Sequence, residues 1–204
     1  MNPPVANTKN AWEERYQKST GFLYSKEPSK FLIDYLELIP AGGKVLEIAC
    51  GEGRNAVALA LKGFEVTAID WAAPAIERAQ KLAADSGVTE AKQILWKSSD
   101  LDFFIPELLT YDAIISVDFK PPLTLLKNLT RGLKQGGHVL MEAHLTQAMN
   151  SNSSLEIFEC YKPNELLQTL SPTSVSLQVL TYSELNPAKW GDKVFLIGKK
   201  TQLL

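Results

Sequence analysis

From Lys44 to Ala143, short apolar runs take turns with helical patterns, and that alternation limits what this chain can fold into more than any single residue does. A strand that returns parallel to its neighbour needs a crossover helix, so the pattern predicts a mostly parallel sheet wrapped by helices. The expected strands are Lys44–Ala49, Phe64–Ile69, Lys92–Lys97, Tyr111–Val117 and His138–Ala143, and the expected helices run from about Arg54 to Lys62, Pro74 to Gly87 and Pro122 to Lys134. Gly63 and Gly87 suit left-handed C-caps, and Pro74 suits a first helical position. Beyond Ala143 the pattern loosens to a helix over Pro163–Leu170 and strands over Val175–Tyr182 and Lys193–Lys199. The link between those last two strands is too short for a crossover helix, which predicts an antiparallel pair.

Two helical patterns precede the first strand, around a turn-rich stretch from Ser19 to Pro28. The second, Ser29 to Ile39, puts Leu32, Tyr35, Leu36 and Ile39 on one face and stops at Pro40. Residues 1–40 therefore read as an N-terminal helical cap on the same domain as residues 41–204.

The bulk numbers narrow the function classes. A chain of 204 residues with 45% apolar side chains can bury a core without disulfides or metal. A net charge of −2 and scattered lysines and arginines give no basic footprint for nucleic acid. Cys50 and Cys160 fit neither a disulfide framework nor a metal-ligand spacing, so the expectation is a reducing cytosol and no metal site. Nothing in the first ten residues resembles the apolar core of a signal peptide, and no apolar run has the length of a membrane span. The expected setting is cytoplasmic, with no membrane partner.

The chemistry-bearing segment is Glu47-Ile48-Ala49-Cys50-Gly51-Glu52-Gly53-Arg54-Asn55-Ala56, between the first strand and its helix. Glycines there let the backbone approach a ligand at a helix N-terminus. Gly51-x-Gly53-x-x-Ala56 also satisfies the dinucleotide fingerprint, and Asp70 follows Gly51 by 19 residues, where a ribose-binding acid belongs. Glu47 and Glu52 argue against it: both would repel a diphosphate, whereas an acid at the strand end welcomes the ammonium of a sulfonium amino acid. The antiparallel C-terminal pair also leaves no separate substrate domain of the kind a dehydrogenase needs.

These residues resemble motif I of class I S-adenosylmethionine (SAM)-dependent methyltransferases, and two further stretches extend the likeness. Asp70-Trp71-Ala72-Ala73-Pro74 is similar to the family's second-strand acid and following helix, and Leu133-Lys134-Gln135-Gly136-Gly137 to its turn before strand five. Gly53-Arg54-Asn55-Ala56, Trp12-Glu13-Glu14-Arg15-Tyr16 and Tyr24-Ser25-Lys26-Glu27-Pro28 resemble the tellurite-resistance and thiopurine methyltransferase-like branch. Two positions depart from the pattern. Ala49 stands where the first motif glycine belongs, which is tolerable if its φ stays negative, and Gln135 replaces a proline.

The resemblance implies a Rossmann-like, seven-stranded, mostly parallel sheet with helices on both faces, SAM as cofactor, and methyl transfer to a small-molecule acceptor. By it, Glu47 organises the methionine end, with Ala49, Gly51, Gly53, Arg54 and Asn55 around the loop. Asp70 accepts from the ribose hydroxyls, Trp71 flanks the adenine, and Asp100-Leu101 clamps it, with Val117 at the end of the fourth strand. The bland alternative for Asp100 is a loop acid or helix cap.

The acceptor side is less legible. His144 follows the fifth strand and alternates with Glu142 onto one face, so it is a candidate for substrate contact or general base, or else a solvated strand end. Asp118 in Asp118-Phe119-Lys120-Pro121-Pro122 is the other weak catalytic candidate, although the prolines lie too far from it to match the Asp/Asn-Pro-Pro motif of amino-group methyltransferases. Trp12, Tyr16 and Tyr24, with Phe22, form either an aromatic lid or the apolar faces of capping helices. No catalytic dyad is visible in the sequence, which favours a soft acceptor such as a thiol or a selenium or tellurium oxyanion. A non-catalytic SAM-binding regulatory protein is the alternative.

Overall fold

The computed structural model describes residues 9–89, 94–146, 160–170, 177–185 and 192–201. Lys92 and Gln93 of the expected third strand, and Val175 and Ser176 of the sixth, lie outside them. In chain order the elements are α1 (Lys9–Lys18), α2 (Lys30–Asp34), a short 3-10 turn (Leu36–Leu38), β1 (Lys44–Ile48), α3 (Arg54–Leu61), β2 (Glu65–Asp70) and α4 (Ala73–Asp85). They continue with β3 (Leu95–Ser98), β4 (Tyr111–Val117), α5 (Leu123–Gly132), β5 (Leu133–Leu145), β6 (Cys160–Tyr161), α6 (Glu165–Thr169), β7 (Leu177–Leu185) and β8 (Lys193–Lys200).

The sheet runs β3-β2-β1-β4-β5-β8-β7, with β6 added beside β5. From β3 through β5 every pairing is parallel, whereas β8 is antiparallel to both β5 and β7. The fold is thus the Rossmann-like α/β arrangement with an antiparallel C-terminal pair that the alternation predicted, with eight strands where seven were expected. The extra one, β6, is two residues long and pairs His144 with Cys160 and Leu145 with Tyr161. Two residues are too short for a periodic signal.

Strand alternation sends successive side chains to opposite faces. Val45, Val66 and Ala113 pack with α3 and α4 residues such as Ala56, Leu59 and Leu82 on one face, together with Leu32 and Ile39. Leu46, Ile48, Ile114 and Met141 pack with Leu125, Leu129 and Leu166 of α5 and α6 on the other. The Ser29 to Ile39 pattern is a broken helix: α2 ends at Asp34 and a separate 3-10 turn follows. Ser29 caps it, its hydroxyl accepting the Leu32 N–H at 3.4 Å.

One reading of the glycine loop is corrected. Ala49 sits at φ +51°, in the left-handed region, and not at negative φ. For an L-residue that costs about 1–2 kcal/mol, so the rest of the loop must hold it there. The bracing is visible: Cys50 N–H donates to Ile69 O at 2.9 Å, and Gly53 N–H to Cys50 O at 3.0 Å. Gly53, at φ +81°, is required for packing as much as for backbone freedom, because a Cβ there would come within 2.7 Å of Ala79 and Trp96. The Leu-Lys-Gln-Gly-Gly segment is likewise no simple turn, since β5 begins at Leu133 and crosses it with a register shift opposite Tyr111 and Ala113.

Candidate active site

In a parallel sheet of this kind, ligands gather beyond the carboxyl ends of the strands, where crossover connections diverge. A cavity of about 320 Å³ opens there, over the ends of β1, β2, β4 and β5. Glu47, Ala49, Gly51, Arg54, Asn55, Asp70, Trp71, Asp100, Leu101 and Val117 all line it. Gly53 is not among these lining residues. Trp12, Tyr16 and Tyr24 line the same cavity, as do Asp118 and His144.

Glu47 lies at the buried end of β1 and is 1% exposed. Burial pushes its carboxyl up to about 7, against the hydrogen bond from Asn55 and the charge of Arg54. Asn55 Nδ2 donates to Glu47 Oε1 at 2.9 Å, while Glu47 Oε2 is buried with no hydrogen-bond partner. A buried, half-satisfied carboxylate in a cavity wall suits a cationic ligand group. Asp70 braces the loop and lines the cavity at once: Gly51 N–H donates to Oδ2 at 2.7 Å and Ala72 N–H to Oδ1 at 2.9 Å. Each carboxylate oxygen keeps a lone pair for a further donor. Asp100 fits both of its readings, since it lines the cavity while Oδ1 accepts the Asp102 N–H at 3.0 Å. Three acids, Glu47 with one open oxygen at the end of β1, Asp70 at the end of β2 and Asp100 beyond β3, thus face one cavity.

Glu52 does not act as a free charge in the loop. It pairs with Arg78 Nη1 at 2.9 Å and accepts the Leu23 N–H at 2.8 Å. Arg78 also donates to Gly21 O at 2.7 Å, to Ser19 O at 2.7 Å and to Tyr16 O. These two residues tie the segment after α1 to α4 and so hold the aromatic wall in place. Arg78 gave no signal in the sequence because its partners are backbone carbonyls 57 to 62 residues away. Arg78→Ala should therefore speed protease cleavage in the Gly21–Ser25 region and raise the acceptor KM while SAM affinity changes little. An unchanged cleavage rate would remove Arg78 as the anchor.

The end of the cavity around Asp118 and His144 differs most from its sequence reading, because the structure pairs the two side chains with each other. Asp118 Oδ1 lies 3.2 Å from His144 Nε2 and 2.8 Å from Lys193 Nζ, and Asp118 Oδ2 lies 2.8 Å from Arg54 Nη2. Burial alone would raise the Asp118 carboxyl, but the hydrogen bond from His144 and the charge of Lys193 outweigh it and hold it well below the usual carboxylate range. Lys193 also pairs with Glu142, and Glu142 takes the Ser29 hydroxyl. Glu142 and His144 do alternate onto one face, but only His144 lines the cavity. Cys50 lines it too, and burial pushes its thiol well above the ordinary value, with Glu47 adding to the effect. It is a poor nucleophile.

Residues 45–137 match the methyltransferase domain family. The ubiquinone biosynthesis O-methyltransferase of Vibrio vulnificus (strain YJ016) is 24% identical over 165 residues, covering 72% of this chain and 69% of that protein. The putative methyltransferase YqeM of Bacillus subtilis (strain 168) is 29% identical over 114 residues, covering 52% of this chain and 44% of that one. Among solved structures, one described as conversion of a disulfide bond into a thioacetal group during echinomycin biosynthesis superposes with a TM-score of 0.76 at 15% identity, covering 96% and 93% of the two chains. Geranyl diphosphate C-methyltransferase from Streptomyces coelicolor A3(2), in complex with S-adenosyl-L-homocysteine, gives 0.73 at 13% identity, covering 98% and 100%. Among the described residues no helix is long and apolar enough to cross a membrane.

Proposed function

We propose that this chain, a class I SAM-dependent methyltransferase, transfers the methyl group to a small acceptor held between the carboxyl ends of β4 and β5, beneath the segment from Trp12 to Pro28. The observation that carries the reading is that one cavity joins Glu47, Asp70 and Asp100 to Asp118 and His144 under aromatic cover. Glu47 would hold the ammonium of SAM, Asp70 the ribose hydroxyls and Asp100 the adenine amine, with Trp71 beside the ring. SAM supplies a methyl group already activated by its sulfonium, for displacement in line. What the chain contributes is alignment and exclusion of water, the latter from Trp12, Tyr16 and Tyr24. On this reading residues 1–40 serve as a cap on the same unit.

For the acceptor, a thiol comes first, because with a pKa near 8.5 it is partly ionised at neutral pH. Selenium and tellurium oxyanions share that softness, and the likeness of Trp12–Tyr16 and Tyr24–Pro28 to the tellurite-resistance and thiopurine branch supports them. The ubiquinone-biosynthesis relative acts, by its name, on oxygen, so phenols belong in the same test. Purified protein assayed with labelled SAM on thiols, selenite, tellurite, phenols, alcohols and amines, beside protein and RNA, should methylate a thiol before alcohols or amines. Preference for protein or RNA would sink the small-acceptor reading.

Glu47 gives this reading a pH signature. With its carboxyl near 7, the apo site is about half protonated at neutral pH. A cationic ligand end favours the carboxylate, so binding expels a proton and affinity rises with pH, by about tenfold from pH 6 to pH 8. The apo protein behaves oppositely: the raised folded-state value means that the Glu47 contribution to stability is present below the ordinary carboxyl range and is lost as pH rises through about 7. Calorimetry in buffers of different ionisation enthalpy should detect the released proton, and Glu47→Gln should flatten the profile. A flat wild-type profile would take Glu47 away from the ammonium.

A further inference from the structure

The reading above asks the acceptor end only for alignment, but its geometry supports more. Asp118 is held from two sides by cations, Lys193 at Oδ1 and Arg54 at Oδ2, each at 2.8 Å. A carboxylate so paired can only accept hydrogen bonds. The imidazole nitrogen 3.2 Å away, His144 Nε2, must then carry the proton, which leaves the ring lone pair on Nδ1. His144 Nδ1 is buried and has no hydrogen-bond partner, and His144 is among the residues that line the cavity. An orphaned acceptor is costly to keep in a fold and marks a place where a ligand donor completes the set.

We propose that His144 Nδ1 is the general base for the acceptor, and that the acceptor is therefore a protic nucleophile, X–H, such as a thiol or phenol. This deepens the acceptor reading above and rests on it. A lone pair on X forms the new bond to the methyl carbon as the carbon–sulfur bond breaks, and its electron pair returns to sulfur. The X–H proton passes to Nδ1, and the resulting imidazolium faces the Asp118 carboxylate. Asp118 fixes the tautomer, and Lys193 with Arg54 keeps Asp118 from taking the proton itself.

The charged groups around the ring come from four elements. Asp118 at the end of β4, Arg54 of α3 and Lys193 of β8 form the cluster, and Glu142 on the ring's own strand neutralises the other side of Lys193. Across the β6 pairing stands Cys160, whose carbonyl takes Lys120 Nζ at 2.9 Å, and that lysine is paired with Glu165. Each of these cations already has an anionic partner. Nδ1 is then the one ring nitrogen left open to a donor.

The chain has two histidines, so nitrogen-15 spectra of the histidine-labelled protein, with S-adenosylhomocysteine added and His138→Gln for assignment, read the tautomer directly. The expected result is an unprotonated Nδ1 and a protonated Nε2, scrambled by Asp118→Asn; a protonated Nδ1 overturns the proposal. Kinetics supply the second arm, with 2-mercaptoethanol, mostly protonated at neutral pH, and 4-nitrobenzenethiol, already ionised. General-base catalysis contributes roughly 10²–10⁴-fold. His144→Gln should lose at least about a hundredfold on the first thiol and less than about threefold on the second. The gap should close as pH rises past the first thiol's pKa, with S-adenosylhomocysteine affinity unchanged. Equal, pH-independent losses on both thiols would make His144 a structural residue and overturn the assignment. Wild-type inactivity on both would instead retire the thiol reading, and the tautomer spectrum would still decide the role of His144.

Discussion

Deletion of residues 1–28 should lower kcat/KM for the small acceptor by at least about a hundredfold. The deletion strips Trp12, Arg15, Tyr16, Tyr24 and Ser25 from the cavity wall. Misplacing reacting groups by about 1 Å is enough to cost roughly 10²-fold, and an open cavity also admits water. It further unpairs Glu52 from the Leu23 N–H and leaves Arg78 without its carbonyl acceptors. The proposed contacts of Glu47, Asp70 and Asp100 with SAM lie outside the deleted segment, so SAM affinity should fall less than acceptor turnover. The measurement is steady-state kinetics on a thiol beside a circular-dichroism melt that verifies folding. A folded truncated protein with its rate intact would show that this segment roofs nothing.

Asp70→Ala should weaken SAM binding by at least about tenfold, since charge-assisted hydrogen bonds contribute about 1.5–3 kcal/mol each and 1.4 kcal/mol is a factor of ten. From sequence, a strand-end acid would be expected to matter little to the fold. The structure changes that expectation, because the same carboxylate receives Gly51 N–H and Ala72 N–H. Losing it leaves two buried donors unpaired, each at about 1–3 kcal/mol, in a loop that must also hold Ala49 at positive φ. A chain of this size loses roughly 2–4 °C in Tm per kcal/mol, so a visibly lower melting point should accompany the weaker binding. Asp70→Asn keeps one acceptor oxygen and should fall between. Wild-type affinity in Asp70→Ala, with the loop intact, would take this acid out of the site.

That the acids singled out in the sequence line one cavity has a physical reason. Glu47 and Asp70 lie in the last two residues of β1 and β2, and Gly51 and Asp100 just beyond β1 and β3; in a parallel sheet, position along the chain fixes position at that edge. Nothing in such a pattern reports backbone sign or the packing behind a glycine. Ala49 was expected at negative φ and lies at +51°, and the space beside Gly53 is too tight for a Cβ against Ala79 and Trp96.

What the sequence by itself determined is the alternation of strand and helix, the antiparallel end of the sheet and the acids that follow its strands, because hydrophobic periodicity and crossover length are local properties. Tertiary structure alone decided the acceptor end. Lys193 lies 75 residues from Asp118 and 51 from Glu142, and its burial between them depends on β8 pairing antiparallel with β5. The same holds for Glu52 and Arg78, 26 residues apart, whose pairing shows only once α4 and the N-terminal segment meet. An ion pair between distant strands leaves no period in the sequence, since its energy depends on separation in space and on burial, and both are properties of the folded chain.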